Sequence, residues 1–199
     1  MTAMDKKALR AVIRSKRPDE SIRQLQSRQI CEHILESPYY RHAEVLGGYI
    51  PLQHEADVLP VLLNALRSGK KLVIPLCGPA PHMTLRHVRS LDELTPGAYG
   101  IPEPPPLAEV VDVSNVDLLL VPLEGIDDRG YRLGKGGGYY DCLLSGKETM
   151  TMGCALTHQI VAQIPHESWD IPLPACAAQD GIRLYDFDKY LSAERTHKS

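Results

Sequence analysis

A buried strand that runs towards a glycine cluster sets the frame for this chain. Val116-Asp117-Leu118-Leu119-Leu120-Val121 is a continuous apolar run of strand length. Downstream comes Gly130-Tyr131-Arg132-Leu133-Gly134-Lys135-Gly136-Gly137-Gly138-Tyr139-Tyr140-Asp141. Tyr139–Leu144 then has the apolar content of a starting helix. Glycine costs backbone entropy, so four of them between 134 and 138 imply a need for positive φ or for close approach to the backbone. Bare N–H groups before a helix attract anions, and Arg132 and Lys135 add two cations, so a phosphate is the natural guest. The string is not a Walker A loop, since no Ser or Thr follows the lysine. It is not the dinucleotide fingerprint either, because Tyr139 stands where that pattern needs glycine. A flexible surface loop explains the glycines alone; it does not explain Arg132, Lys135 and Asp141 beside them.

The rest of the chain narrows the class. Its 199 residues suit one domain with a real core. With 25 acidic against 22 basic residues there is no global field to draw it to nucleic acid or membrane, so any anion site is local. Five widely spaced cysteines without a C-x-x-C pair suggest neither zinc nor a disulfide framework. They read as reduced thiols of a cytoplasmic protein. No signal peptide and no apolar run of membrane-spanning length is seen.

In order, residues 4–17 read as a helix with Leu9, Val12 and Ile13 on its apolar face. Lys6, Arg10 and Arg14 stack four apart on another face, where like charges repel by a few tenths of a kcal/mol per pair. A solvated basic face and a row of cations facing phosphates both fit. Residues 19–37 form a second helix, and the pair is expected to cap a sheet. Val45–Ile50 is the first strand, with Gly47 and Gly48 marking close approach of a backbone or ligand. Glu55 and Asp57 follow in its loop; they fit an acidic pair at the start of a helix over Val58–Leu66. Gly69 ends that helix. Leu72–Pro75 is the second strand of a βαβ unit, and Met83–Val88 is another strand. His82 and His87 read as ordinary surface residues. Residues 95–106 are a Pro/Gly-rich loop near the site rather than a domain boundary. Val116–Val121 is the third strand of the series. Met152–Leu156 is a strand, Thr157–Pro165 a short helix, and Ala175–Gln179 a final strand. Asp170 fits a turn residue before Pro172. Residues 186–199 read as a polar, frayed tail. The alternation gives one α/β domain over 1–199, with N-terminal helices over 1–37 and a mostly parallel central sheet.

Taken whole, Arg132-Leu133-Gly134-Lys135-Gly136-Gly137-Gly138-Tyr139-Tyr140-Asp141 closely resembles the signature of the 5-formyltetrahydrofolate cyclo-ligase (5,10-methenyltetrahydrofolate synthetase) family. Lys6-Lys7-Ala8-Leu9-Arg10 looks like that family's amino-terminal ATP-contacting motif, and Tyr49–Val58 resembles its folate-binding segment. The resemblance implies a Rossmann-like three-layer sandwich. It also implies an ATP- and Mg²⁺-dependent enzyme that closes 5-formyltetrahydrofolate to the 5,10-methenyl form, releasing ADP and phosphate. ATP would be held by Lys6, Lys7, Ala8, Leu9 and Arg10 and by the stretch Arg132, Leu133, Gly134, Lys135, Gly136, Gly137, Gly138, Tyr139 and Tyr140. The folate would meet Ile50, Glu55, Lys135, Gly136, Gly137, Gly138 and Tyr139. Arg132 and Lys135 would act in catalysis, and Asp141 and Asp170 would serve the metal. A monomer is expected. The chain departs from the family pattern at Val58, usually threonine, and at Cys142, usually basic. A phosphosugar-isomerase-like enzyme or a non-catalytic nucleotide- or folate-binding regulator are the competing classes on such a sheet.

Overall fold

The computed structural model describes residues 5–97 and 100–185. In chain order the elements are α1 (Lys6–Ser15), α2 (Glu20–Glu36), α3 (Pro38–His42), β1 (Val45–Gly47), α4 (Leu59–Arg67), β2 (Lys71–Cys77), β3 (Met83–Val88), β4 (Thr95–Pro96), β5 (Pro102–Glu103) and β6 (Val110–Val111). Then follow β7 (Leu118–Val121), β8 (Gly125–Ile126), β9 (Arg132–Leu133), α5 (Tyr139–Leu144), β10 (Thr151–Cys154), β11 (Ala175–Ala178) and β12 (Gly181–Leu184).

Eight strands form one sheet in the order β12-β11-β10-β7-β1-β2-β3-β6. The inner run β11-β10-β7-β1-β2 is parallel throughout, and β12, β3 and β6 add antiparallel edges. This is the expected mostly parallel α/β sheet. Strand β7 shows why its sequence is apolar without a break. Leu118 and Leu120 pack on the face covered by α2, α3 and α4, while Leu119 and Val121 pack on the face of α5. Each such fully buried leucine contributes roughly 1.5–3 kcal/mol.

Helix starts follow their caps. The Asp5 carboxylate accepts from Ala8 N and that of Asp19 from Ile22 N, each worth about 1 kcal/mol. Gly69, at φ 77°, ends α4 as expected, with Lys70 N donating to Ala65 O.

Four expectations change. Helix α1 does not join α2 in capping the sheet: Leu9 and Ile13 pack instead on Leu133 and Ile164, beside the β8–β9 hairpin. The helix expected over Thr157–Pro165 shrinks to a 3-10 turn at Thr157–Gln159. Ile160 N still donates to Thr157 O, but the following N–H, on Val161, bonds Ile126 O rather than a carbonyl in that turn. Strand β12 was not foreseen. Gly47 and Gly48 make room for side chains, not for a backbone or ligand. A Cβ at 48 would lie 2.3 Å from Leu62 Cδ2, and one at 47 would lie 2.5 Å from Leu119 Cδ1. The tail over 186–199 and the helix start at residue 4 lie outside the described residues. Among those described, no helix is long and apolar enough to cross a membrane.

Candidate active site

A cleft of about 920 Å³ opens beyond the C-terminal ends of the central parallel strands. It gathers segments far apart in sequence: Lys6 and Arg10 from α1, Ile50 and Glu55 from the loop after β1, Ile101–Glu103, the glycine loop, and Trp169–Asp170. This is where open α/β sheets place their ligands.

The glycine loop forms the floor. Gly138 sits at φ 68° and starts α5 without a side-chain cap; Gly136 is at φ 105°. Both conformations penalise any residue with a Cβ. A Cβ on Gly134 would meet no protein atom within 4 Å. Packing therefore does not require glycine at 134, and the open space there lies in the cleft. Arg10 crosses from α1 to donate from Nε to the Gly134 carbonyl at 2.8 Å. Half-buried Tyr139 and Tyr140 line the wall beside it, and burial pushes the Tyr140 phenol well above its ordinary value.

Four cations converge here, and carboxylates or carbonyls answer each. Lys135 Nζ meets Glu55 Oε1 at 2.6 Å, and Glu55 Oε2 accepts from Leu52 N at 2.9 Å. Glu55 is 4% exposed although it lies in a loop. Arg132, buried, meets Asp141 Oδ1 at 2.8 Å and donates to Ile171 O at 2.9 Å. Ile171 N in turn donates to Asp141 Oδ1 at 3.1 Å, which brings the Asp170 segment beside Asp141. Lys6 Nζ holds Asp170 Oδ2, which also accepts from Glu167 N. Burial pushes the Asp170 carboxyl up, but the Lys6 ion pair and the Glu167 N–H outweigh it. Asp170 is therefore held below the usual carboxylate range and is ionised at neutral pH.

The helical period sorts the amino-terminal motif. Lys6 and Arg10, one turn apart, face the cleft. Lys7 and Ala8 are exposed and Leu9 is buried against Leu133, so these three do not line the cleft, contrary to the motif-wide expectation. Glu55 and Asp57 also part company. Asp57 Oδ1 accepts from Leu59 N at the start of α4, as an acidic helix-start residue should, while Glu55 turns into the cleft. Val58 is fully buried in the core. Cys142 lines the cleft, with Sγ 3.6 Å from His82 Nδ1, and His87 pairs with Glu109.

Among the cleft residues to which sequence reading gave no role are Glu103, Glu124 and Trp169. Glu124 had a positional signal, since it follows the C-terminal end of β7. Among the described residues, no group of three or more His, Cys, Asp or Glu side chains is placed to hold a metal alone.

Comparison with known proteins identifies the family. The 5-formyltetrahydrofolate cyclo-ligase family model matches residues 3–178. The 5-formyltetrahydrofolate cyclo-ligase of Escherichia coli (strain K12) is 31% identical over 153 residues, covering 74% of this chain and 84% of that protein. That of Haemophilus influenzae is 28% identical over 181 residues, covering 87% and 97%. A solved 5,10-methenyltetrahydrofolate synthetase from Aquifex aeolicus superposes with a TM-score of 0.80 at 32% identity, over 91% of this chain and 93% of that one. A second, from Mycoplasma pneumoniae, shares the fold at a TM-score of 0.72 and 21% identity, over 88% and 99%. With a family match across almost the whole chain and a sheet that ends in this cleft, the chain belongs to the 5-formyltetrahydrofolate cyclo-ligase family.

Proposed function

We propose that this cleft converts 5-formyltetrahydrofolate to 5,10-methenyltetrahydrofolate at the expense of ATP, with Lys6, Arg10, Arg132 and Lys135 handling the phosphates and Glu55 the pterin. The observation that carries the reading is the convergence of those four cations on an open glycine loop, opposite a buried carboxylate. A formamide oxygen is a poor leaving group. Its attack on the γ-phosphorus expels ADP and leaves an iminium phosphate at N5. N10 then attacks the formyl carbon and loses its proton; phosphate departs and the methenyl bridge remains. Such a transfer asks the protein for positioning and for charge neutralisation. Cations and backbone N–H groups gathered around the loop provide both.

A divalent ion fits the chemistry of the donors. Asp141 and Asp170 lie on adjoining segments, and Asp170 is held ionised. Each keeps one oxygen, Oδ2 of Asp141 and Oδ1 of Asp170, outside its pair with Arg132 or Lys6. One or two carboxylates plus substrate phosphates are the usual holding set for Mg²⁺. When bound it would neutralise phosphate charge. Asp141→Asn and Asp170→Asn are each expected to raise the Mg²⁺ concentration for half-maximal rate. Unchanged metal dependence in both variants would make these aspartates structural.

The reading takes residues 1–199 as one domain and expects a monomer. All five cysteines are free, which supports a reducing, cytoplasmic setting. The test is a spectrophotometric assay for methenyl product. Product is expected only with 5-formyltetrahydrofolate, ATP and a divalent metal together. Turnover without ATP, or none with all three, sinks the proposal.

A further inference from the structure

Glu124 stands apart from the groups the reaction uses. It follows β7 by way of Leu123 and lines the cleft, and its side chain is 4% exposed. A carboxylate that buried costs free energy unless it is partnered. Its partners come from two directions. From α1, Arg14 donates Nη2 to Oε1 at 3.0 Å and Nε to Oε2 at 3.3 Å, and from just past the end of α1 Arg17 reaches Oε2 at 3.6 Å. From the loop that carries Glu55, His54 Nε2 lies 3.9 Å from Oε1. The Arg14 contact is the two-pronged kind that fixes direction as well as distance.

Helix α1 needs such an anchor. It is 10 residues long, too short to hold its shape alone. Its apolar hold is Leu9 and Ile13 on a small cluster with Leu133 and Ile164. Its polar holds on the cleft are Lys6 to Asp170, Arg10 to the Gly134 carbonyl, and Arg14 with Arg17 to Glu124. The reaction claims the first two: Lys6 and Arg10 turn to phosphates, and Asp170 turns to the metal. The Glu124 contact uses none of these groups.

We propose that Glu124 is a positioning residue: its clamp on Arg14 and Arg17 fixes α1, so that Lys6 and Arg10 stay aimed at the nucleotide's phosphates. This rests on the reading of α1 as the phosphate wall of a cyclo-ligase. The test is calorimetric titration with ATP and steady-state kinetics on the parent, Glu124→Gln, Arg14→Gln and the double variant. Each single change is expected to weaken ATP binding about tenfold, or roughly 1.4 kcal/mol. KM for 5-formyltetrahydrofolate should shift by no more than about twofold, a split that general loosening of the fold does not produce. The double variant should be no weaker than the worse single, because both remove one contact. ATP affinity within about twofold of the parent in both singles, or equal loss of ATP and folate affinity, overturns the proposal. Arg14 is half exposed, so Arg14→Gln carries the test if Glu124→Gln does not fold. A parent that binds no ATP overturns the cyclo-ligase reading itself, whereas a parent that binds ATP with unaffected variants overturns this inference alone.

Discussion

Lys135→Ala is expected to lower kcat by about a hundredfold to a thousandfold, the usual cost of removing one preset charge-stabilising donor. Lys135 sits in the glycine loop with its side chain 44% exposed towards the cleft, so its charge is available to an incoming phosphoryl group. It pairs with Glu55 at 2.6 Å. Its removal leaves a buried carboxylate with Leu52 N as a remaining partner, so some stability is lost too. Rate and stability separate by experiment: kcat at saturating ATP and folate, beside the melting temperature. A variant that melts near the parent yet keeps kcat within about threefold removes Lys135 from the chemistry.

The sequence carried the sheet well and the third dimension poorly, for identifiable reasons. Strand β7 was legible because burial on both faces leaves an unbroken apolar run, and Leu118–Val121 is such a run. Met83–Val88 was legible by alternation, and it pairs antiparallel to β2 from Leu72↔Val88 to Cys77↔Met83. The placement of α1 was not legible. Its apolar residues Leu9 and Ile13 specify a buried face but not which surface buries it, and that surface is the β8–β9 hairpin. Thr157–Pro165 misled through Ile160 and Val161, which stand four and three residues before Ile164 as on one helical face. In fact they serve the bridge from Ile160 to Ile126. Tertiary pairing there outweighs local pattern.

The site divides along the same line. The glycine loop announced itself as four glycines between 134 and 138 beside Arg132 and Lys135, and packing does not require glycine at Gly134. The partners of those charges were silent. Lys135 with Glu55, Arg132 with Asp141 and Lys6 with Asp170 join segments up to 164 residues apart, which no local spacing reveals. Glu55 and Asp57 look alike in sequence, and the fold gives one to the cleft and the other to the start of α4.

Those pairings give the cleft a definite arrangement of charge: Lys6, Arg132 and Lys135 each meet one of its own carboxylates, and Arg10 meets a carbonyl. Glu55 tests that picture from the folate side. Its carboxylate matches the amino group and adjacent ring N–H of a pterin, which together donate two hydrogen bonds. Glu55→Gln keeps the volume, and its carbonyl oxygen still accepts from Leu52 N, but the charge is gone. Folate affinity is expected to fall by roughly 1.5–3 kcal/mol, the range for a hydrogen bond to a charged group. ATP affinity should change far less, because the change releases Lys135 rather than removing it. Titrating the variant with each ligand separates the two effects. Equal losses for ATP and folate mean that Glu55 serves the loop's shape rather than the pterin. A selective loss of folate supports Glu55 as the group that meets the pterin, while its partner Lys135 serves the phosphates.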